Sequence, residues 1–186
     1  MMESFKDCIY KDQSRMRFVN QMFTYILFWF QFVLDFMPPF IRNVIYKHMV
    51  KKCGEKVVFD YNIFIKFPWL VEIGSNVSIN RGGQFFPAYK SGNMIKIGND
   101  VYLGPNVCFF ASGHDVANFK IPTGGDIIVG KNVWLGGNTT VLPGVIIGDN
   151  CVVGAGSVVS KSIPSNSIAV GVPARVIKHN YSMFTG

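Results

Sequence analysis

IIVGKNVWLGGNTTVLPGVIIGDNCVVGAGSVVS, residues 127–160, repeats an aliphatic residue at every sixth position: Val129, Leu135, Val141, Ile147, Val153 and Val159. Glycine follows directly at Gly130, Gly136, Gly148 and Gly154. Four residues after each aliphatic stands a second inward candidate: Val133, Thr139, Val145, Cys151 and Ser157. Turn formers such as Lys131-Asn132 and Asp149-Asn150 lie between them. Six residues make one short strand and one corner. Side chains alternate along a strand, so the aliphatic and the small residue both point inward. Glycine and asparagine supply the unusual backbone angles at the corner. Three such faces close a triangular coil of about 18 residues, and coils stack into a solenoid.

Working toward the N-terminus, the same phase holds at Ile73, Ile79, Phe85, Ile97, Leu103 and Phe109, with Val77, Gly83, Val101 and Val107 as the second inward set. A weaker continuation runs back through Phe67 and Tyr61. Every gap is a multiple of six except the one from Phe109 to Val129. The periodicity predicts a parallel β-helix and leaves its hand open, although most parallel crossovers are right-handed.

A solenoid that loses its period has extruded a loop, and this one is predicted over residues 112–126. It holds His114, the only histidine of the repeat region. Loops on a rigid scaffold carry function disproportionately. An imidazole can take a proton from a hydroxyl and return one to a leaving thiolate. The alternative is an ordinary surface histidine.

The chain changes character near Cys53-Gly54, which divides it into a helical, apolar and basic segment, 1–53, and a β-helix domain, 54–186, with the loop and a C-terminal tail. Between Arg17 and Met37 the polar residues Asn20, Thr24, Gln31 and Asp35 form one narrow stripe at helical spacing, and nearly everything else is apolar. Pro38-Pro39 stops that helix. Phe40 to Lys52 reads as amphipathic, with Ile41, Val44, Ile45 and Met49 on one side and Arg42, Lys47, Lys51 and Lys52 on the other. The apolar run from Met22 to Met37 is interrupted and short of the roughly 20 residues a spanning helix needs. A helix this apolar must be covered. Residues 17–52 are therefore expected to meet a membrane surface or neighbouring subunits.

With 186 residues, 49% hydrophobic and 16% charged, the chain suits one main domain with apolar surface to spare. Its net charge of +7 favours anionic partners. Nucleic acid has only that charge in its favour and is not expected. Cys8, Cys53, Cys108 and Cys151 are scattered without metal-ligand spacing and read as reduced thiols. There is no secretory cleavage pattern, so the expected location is cytoplasmic, peripheral to the inner face of the membrane if the leader touches lipid.

The stretch from Ile127 to Lys178, with its NVWLGG, LPGV, GAGSVVSK and GVPARVIK in that order, together with SGHD at 112–115, resembles the hexapeptide-repeat acetyltransferases of the maltose, galactoside and polysaccharide O-acetyltransferase type. The resemblance covers about residues 57–178. It implies an all-β, left-handed parallel β-helix, preceded here by the helical segment. It further implies a homotrimer with sites between subunits, and transfer of acetyl from acetyl-CoA to a hydroxyl of a sugar or polysaccharide precursor in a ternary complex. His114 matches the family's catalytic base. Asn80 matches an acceptor-side asparagine, and Trp134 a tryptophan near the pantetheine arm. Gly136, Gly137 and Ala155 match the small residues along that arm. Ser160, Lys161, Arg175 and Lys178 match positions at the adenine and phosphate end. Each could instead be a plain corner, packing or solvated residue. An acidic residue that often follows the asparagine by seven or eight positions is replaced here by Pro87 and Ala88. The aromatic stretch 84–94 and a shorter loop after His114 also depart from the maltose and galactoside enzymes. N-acetylation of an amino sugar, inactivation of an antibiotic and a non-catalytic β-helix scaffold are the alternatives. A zinc site of the carbonic anhydrase kind takes three histidines. His48 and His179 lie outside the repeat spacing, so no metal is expected.

Overall fold

The structure is a computed structural model that describes residues 2–89, 91–114, 117 and 122–179, with side chains from Phe18 onward other than Pro122. Helix α1 spans Met2–Leu34 and α2 spans Pro39–Met49. Pro39 stands in the first turn of α2, where its missing N–H costs nothing and its fixed φ suits a helix start. Three parallel sheets then wind into a left-handed β-helix.

The first face stacks Lys52–Cys53, Val71–Ile73, Ile95–Ile97, Ile127–Val129 and Ile146–Ile147. The second stacks Val58–Phe59, Ser78–Ile79, Val101–Leu103, Val133–Leu135, Val152–Val153 and Ile168–Val170, and closes with the antiparallel Arg175–Lys178. The third stacks Phe64–Ile65, Gln84–Phe86, Cys108–Phe110, Thr140–Val141 and Val158–Val159. Every aliphatic or aromatic residue of the six-residue phase from Ile73 to Val159 is buried. So are the second-set residues Val77, Val101, Val107, Val133, Thr139, Val145, Cys151 and Ser157. Corners use the left-handed region: Asn76, Asp100, Asn132, Asn150 and Asn166 all have positive φ. Asparagine tolerates that region better than other side chains. Here its amides also bond from coil to coil, as Asn132 Nδ2 donates to Asn150 Oδ1 at 2.9 Å and Asn150 Nδ2 to Asn166 Oδ1 at 2.9 Å.

The structure departs from the periodicity in two places. Val129 and Ile147 pair at the regular spacing of 18 residues, but Ile73 pairs with Ile97, 24 residues on. The extra six residues form a loop after Phe86, bridged by Ala88 and Asn93. An insertion of one whole repeat preserves the phase, so the sequence pattern passes over it. At the N-terminal end, Phe59 pairs with Ile79 and Ile65 with Phe85, 20 residues apart, because the turn Pro68–Leu70 adds two. Phe59 and Ile65 therefore fill the core, and Tyr61 stands outside, half-exposed.

The first coil leaves a row of strand groups without a coil beneath it, which α1 and α2 cover. Gln31 donates from Nε2 to Ile65 O at 2.9 Å and accepts from Ile65 N at 3.1 Å. Asp35 accepts from Asn62 N at 2.9 Å, and Asn43 Oδ1 from Phe59 N at 3.0 Å. Arg42 donates to Phe59 O at 3.2 Å and lies 3.9 Å over the Tyr61 ring, while Tyr46 donates to Ile63 O and stacks on Phe59. Arg42 is thus buried while Ile41 and Val44 are exposed, against the amphipathic reading of α2; Ile45 and Met49 pack on the core and Lys47 is exposed, in keeping with it. The reason is that the terminal coil offers backbone carbonyls and amides rather than an apolar surface.

Candidate active site

The edge between the second and third faces is a column of corner residues joined by backbone bonds. Asn80 N donates to Leu103 O, Gly104 N to Leu135 O, Gly136 N to Val153 O and Gly154 N to Ala169 O. Asn80 Nδ2 also donates to Leu103 O at 2.7 Å, which fixes the amide against the edge. Coils approach so closely here that a Cβ on Gly136 would lie 2.5 Å from Ala155 N. Glycine is required at that point by the neighbouring backbone. Gly137 is half-buried and Ala155 exposed, so the edge is a shelf with little side chain on it. Trp134 stands two residues before Gly136 on the second face, 50% exposed, with Tyr102 as its cross-strand neighbour at 48%. Arg175 begins the closing strand, opposite Val170, at the end of this edge. Lys178 pairs with Ile168 farther along the same strand. Both cations are exposed.

The edge between the third and first faces carries the loops. Ser112–His114 pairs antiparallel with Pro122–Gly124, His114 opposite Pro122. The hairpin leaves the coil where Ala111 N donates to Phe86 O, and returns where Gly125 N donates to Ala111 O. The loop after Phe86 braces it: Met94 N donates to Asp126 Oδ1 at 2.8 Å, and Lys96 sits 3.8 Å from the same carboxylate. His114 is exposed near the end of this braced hairpin. Asp115, a candidate neighbour for its ring, lies outside the described residues. Ser160 and Lys161 follow Val158–Val159 at this same edge, two coils beyond the hairpin, and are exposed.

One chain thus gathers Asn80, Gly136, Gly137, Ala155 and Arg175 along one edge, beside Trp134. It gathers His114, Ser160 and Lys161 along another, with the width of the third face between them. Sequence reasoning did not separate the two groups, because the period gives the coil and not the distance around it. It also missed a cleft between α1 and the third face, lined by Phe28, Phe32, Asp35, Asn62, Phe64 and Gln84. Asp35 brings a carboxylate there from the turn after α1, 27 residues before Asn62, so no local motif announces it. Among the described residues no cluster of histidine, cysteine and acidic groups could hold a metal.

Residues 126–161 match the family profile for bacterial transferase hexapeptide, six repeats. The galactoside O-acetyltransferase of Escherichia coli strain K12 is 37% identical over 144 residues, which cover 74% of this chain and 68% of that one. The chain belongs to the hexapeptide-repeat acetyltransferase family. It is an acetyltransferase of the maltose and galactoside O-acetyltransferase type, and acetyl-CoA is the donor of that family. The crystal structure of a maltose O-acetyltransferase from Clostridium difficile 630 superposes with a TM-score of 0.78 at 30% identity, covering 88% of this chain and 89% of that one. A galactoside acetyltransferase in complex with coenzyme A gives a TM-score of 0.68 at 27% identity, over 87% and 82% of the two chains. The stacked coil and the leading helices are therefore this family's architecture.

Proposed function

We propose that this acetyltransferase moves the acetyl group of acetyl-CoA to a hydroxyl of a sugar or polysaccharide precursor, with His114 as general base. The observation that carries the reading is the division of the site over two edges. A braced, exposed imidazole stands on one, and a glycine-cleared shelf beside Trp134 stands on the other. In a homotrimer built around a threefold axis, the loop edge of one subunit meets the shelf edge of its neighbour, and the two halves complete one site.

The extended pantetheine arm lies along Gly136, Gly137 and Ala155, where only a shelf without side chains admits it, with Trp134 against the thioester end. Ser160, Lys161, Arg175 and Lys178 meet the nucleotide end, where cations suit phosphates. Asn80 holds the acceptor side. The acceptor hydroxyl gives its proton to the His114 imidazole as its oxygen attacks the acetyl carbonyl carbon. The carbon–sulfur bond then breaks, and the imidazolium returns the proton to the departing thiolate. Ser112 stands two residues before His114 on the same strand, but direct transfer within a ternary complex needs no acyl-enzyme.

The test is an acceptor screen with acetyl-CoA and a thiol-release readout, over simple glycosides, nucleotide sugars and lipid-linked sugars, with amino sugars and their hydroxyl counterparts in parallel. Saccharide-dependent thiol release that tracks a hydroxyl bears the reading out. Release only with amines would move the reaction to N-acetylation.

A further inference from the structure

Helix α1 is inverted. The C-terminal part of its polar stripe faces the protein: Gln31, and Asp35 just past the helix end, bond the backbone of the first coil, and Leu27 and Leu34 are buried beside them, while Asn20 stays exposed. Those bonds fix the helix in rotation, so its opposite side is apolar by construction. Phe18, Ile26, Trp29, Phe32 and Val33 lie there, each at least 43% exposed. At 3.6 residues per turn they share one face. Phe36, just past the helix end, packs on Phe32 and is 76% exposed. No charged residue occurs from Phe18 to Leu34. On α2, Phe40 and Val44 are likewise 70% and 56% exposed, and Lys47 falls within about 60° of both around that helix. His48 and Lys52 are exposed just beyond, and Lys51 is held 3.0 Å from Glu72. In sequence, Arg15 and Arg17 precede the apolar run. A contiguous apolar face of this size marks an interaction surface. No helix among the described residues is long and apolar enough to cross a membrane.

We propose that this face docks on an anionic lipid surface. Charge decides between lipid and a second copy joined through this same face. From residue 18 to residue 54 the one acidic residue is Asp35, and it is engaged by Asn62 N. Two copies meeting through the same face would set cationic rims against each other without acids to answer them. A bilayer with acidic headgroups answers both parts, taking the aromatic stripe into the headgroup boundary and the lysines onto its phosphates. The inference stands apart from the acetyl-transfer reading, and its deciding readout is flotation, with turnover serving only as a control for folding.

The experiment is flotation of the full chain with two vesicle types: phosphatidylcholine alone, and phosphatidylcholine mixed with phosphatidylglycerol. The wild type should float with the mixed vesicles, at least about tenfold more than with phosphatidylcholine alone. The double variant Ile26→Glu, Trp29→Glu should lose flotation and keep wild-type thiol release with a soluble acceptor. Should that variant fail to fold, Lys47→Glu with Lys52→Glu tests the electrostatic half, and should abolish the preference for phosphatidylglycerol. The proposal is overturned if the wild type stays at the bottom of both gradients, or if the folded glutamate variant still floats. It is overturned equally if, without lipid, the wild type sediments as an assembly that the glutamate variant dissociates, which would assign the face to a second copy.

Discussion

Thr139 and Ser157 occupy inward positions in a stack of aliphatic residues, and both are fully buried. Each hydroxyl turns back to the corner before it, donating at 2.6 Å to Gly136 O and Gly154 O. These corners belong to the shelf, so two buried hydrogen bonds hold the carbonyls beside which the pantetheine arm would run. Residue types at inward positions were legible from the sequence; the purpose of a hydroxyl there was not, since its partner is a backbone oxygen. His114 was legible for the opposite reason, because it stands where the period fails. General-base catalysis contributes about 100- to 10,000-fold. His114→Ala should therefore lower kcat by at least about two orders of magnitude and leave coenzyme A affinity nearly unchanged. A variant keeping a tenth of wild-type kcat with a saturating acceptor would remove His114 from the chemistry. Burial also sets the behaviour in alkali. It pushes the Cys108 thiol up to about 11 and the Cys151 thiol up as well. Burial, then Asp35, raises the Tyr46 phenol, against a lowering by Arg42. The folded chain holds these protons after the unfolded chain has begun to release them, so stability must fall as pH rises. The melting temperature should drop between the ordinary thiol value of 9.0 and about 11, and Cys108→Ala should blunt that drop. A melting temperature constant across the window would contradict the argument.

At the scale of elements, the two helices are the part whose role the sequence concealed. A stripe of Asn20, Thr24, Gln31 and Asp35 on an apolar helix looks like its solvent side. In the fold, Gln31 and Asp35 are its protein side, because the end of a solenoid exposes unpaired strand groups that only polar side chains can satisfy. Gln31→Leu would leave both the N–H and the C=O of Ile65 buried without partners. Each such group costs about 1–3 kcal/mol. With two such groups the variant should lose up to about twice that in urea denaturation, while Asn20→Leu, at an exposed position of the same stripe, should be near neutral. Equal, small effects at both positions would mean that α1 does not cap the first coil. The same bonds bear on the segment boundary near Cys53-Gly54: a chain beginning there would lack every side chain that satisfies Phe59, Asn62, Ile63 and Ile65. The loops teach a related lesson. The insertion after Phe109 disturbs the phase and was visible, while the six-residue insertion after Phe86 preserves it and was not. Yet the two emerge from one edge and brace each other through Asp126.

For the whole molecule, the decisive feature is the distance that the third face puts between the shelf and the loop edge. The sequence supplied both sets of residues, since each is a local motif, but a list of motifs carries no information about which edge each occupies. If the site forms between subunits, a subunit lacking His114 still offers an intact shelf, and a subunit with a damaged shelf still offers an intact imidazole. His114→Ala and Asn80→Ala should each be inactive as pure proteins. Unfolded together, mixed in equal amounts and refolded, they should assemble randomly. About a quarter of the interfaces would then join a wild-type loop edge to a wild-type shelf edge, and thiol release should recover toward that fraction of the wild-type rate. Sedimentation of the mixture must show the same assembly as the wild type, so that recovery is read on the proper species. Two inactive proteins that stay inactive after mixing, although assembled, would place the complete site within one chain. His114 and Asn80 would then have to act across the third face of a single subunit, which the separation of its two edges argues against.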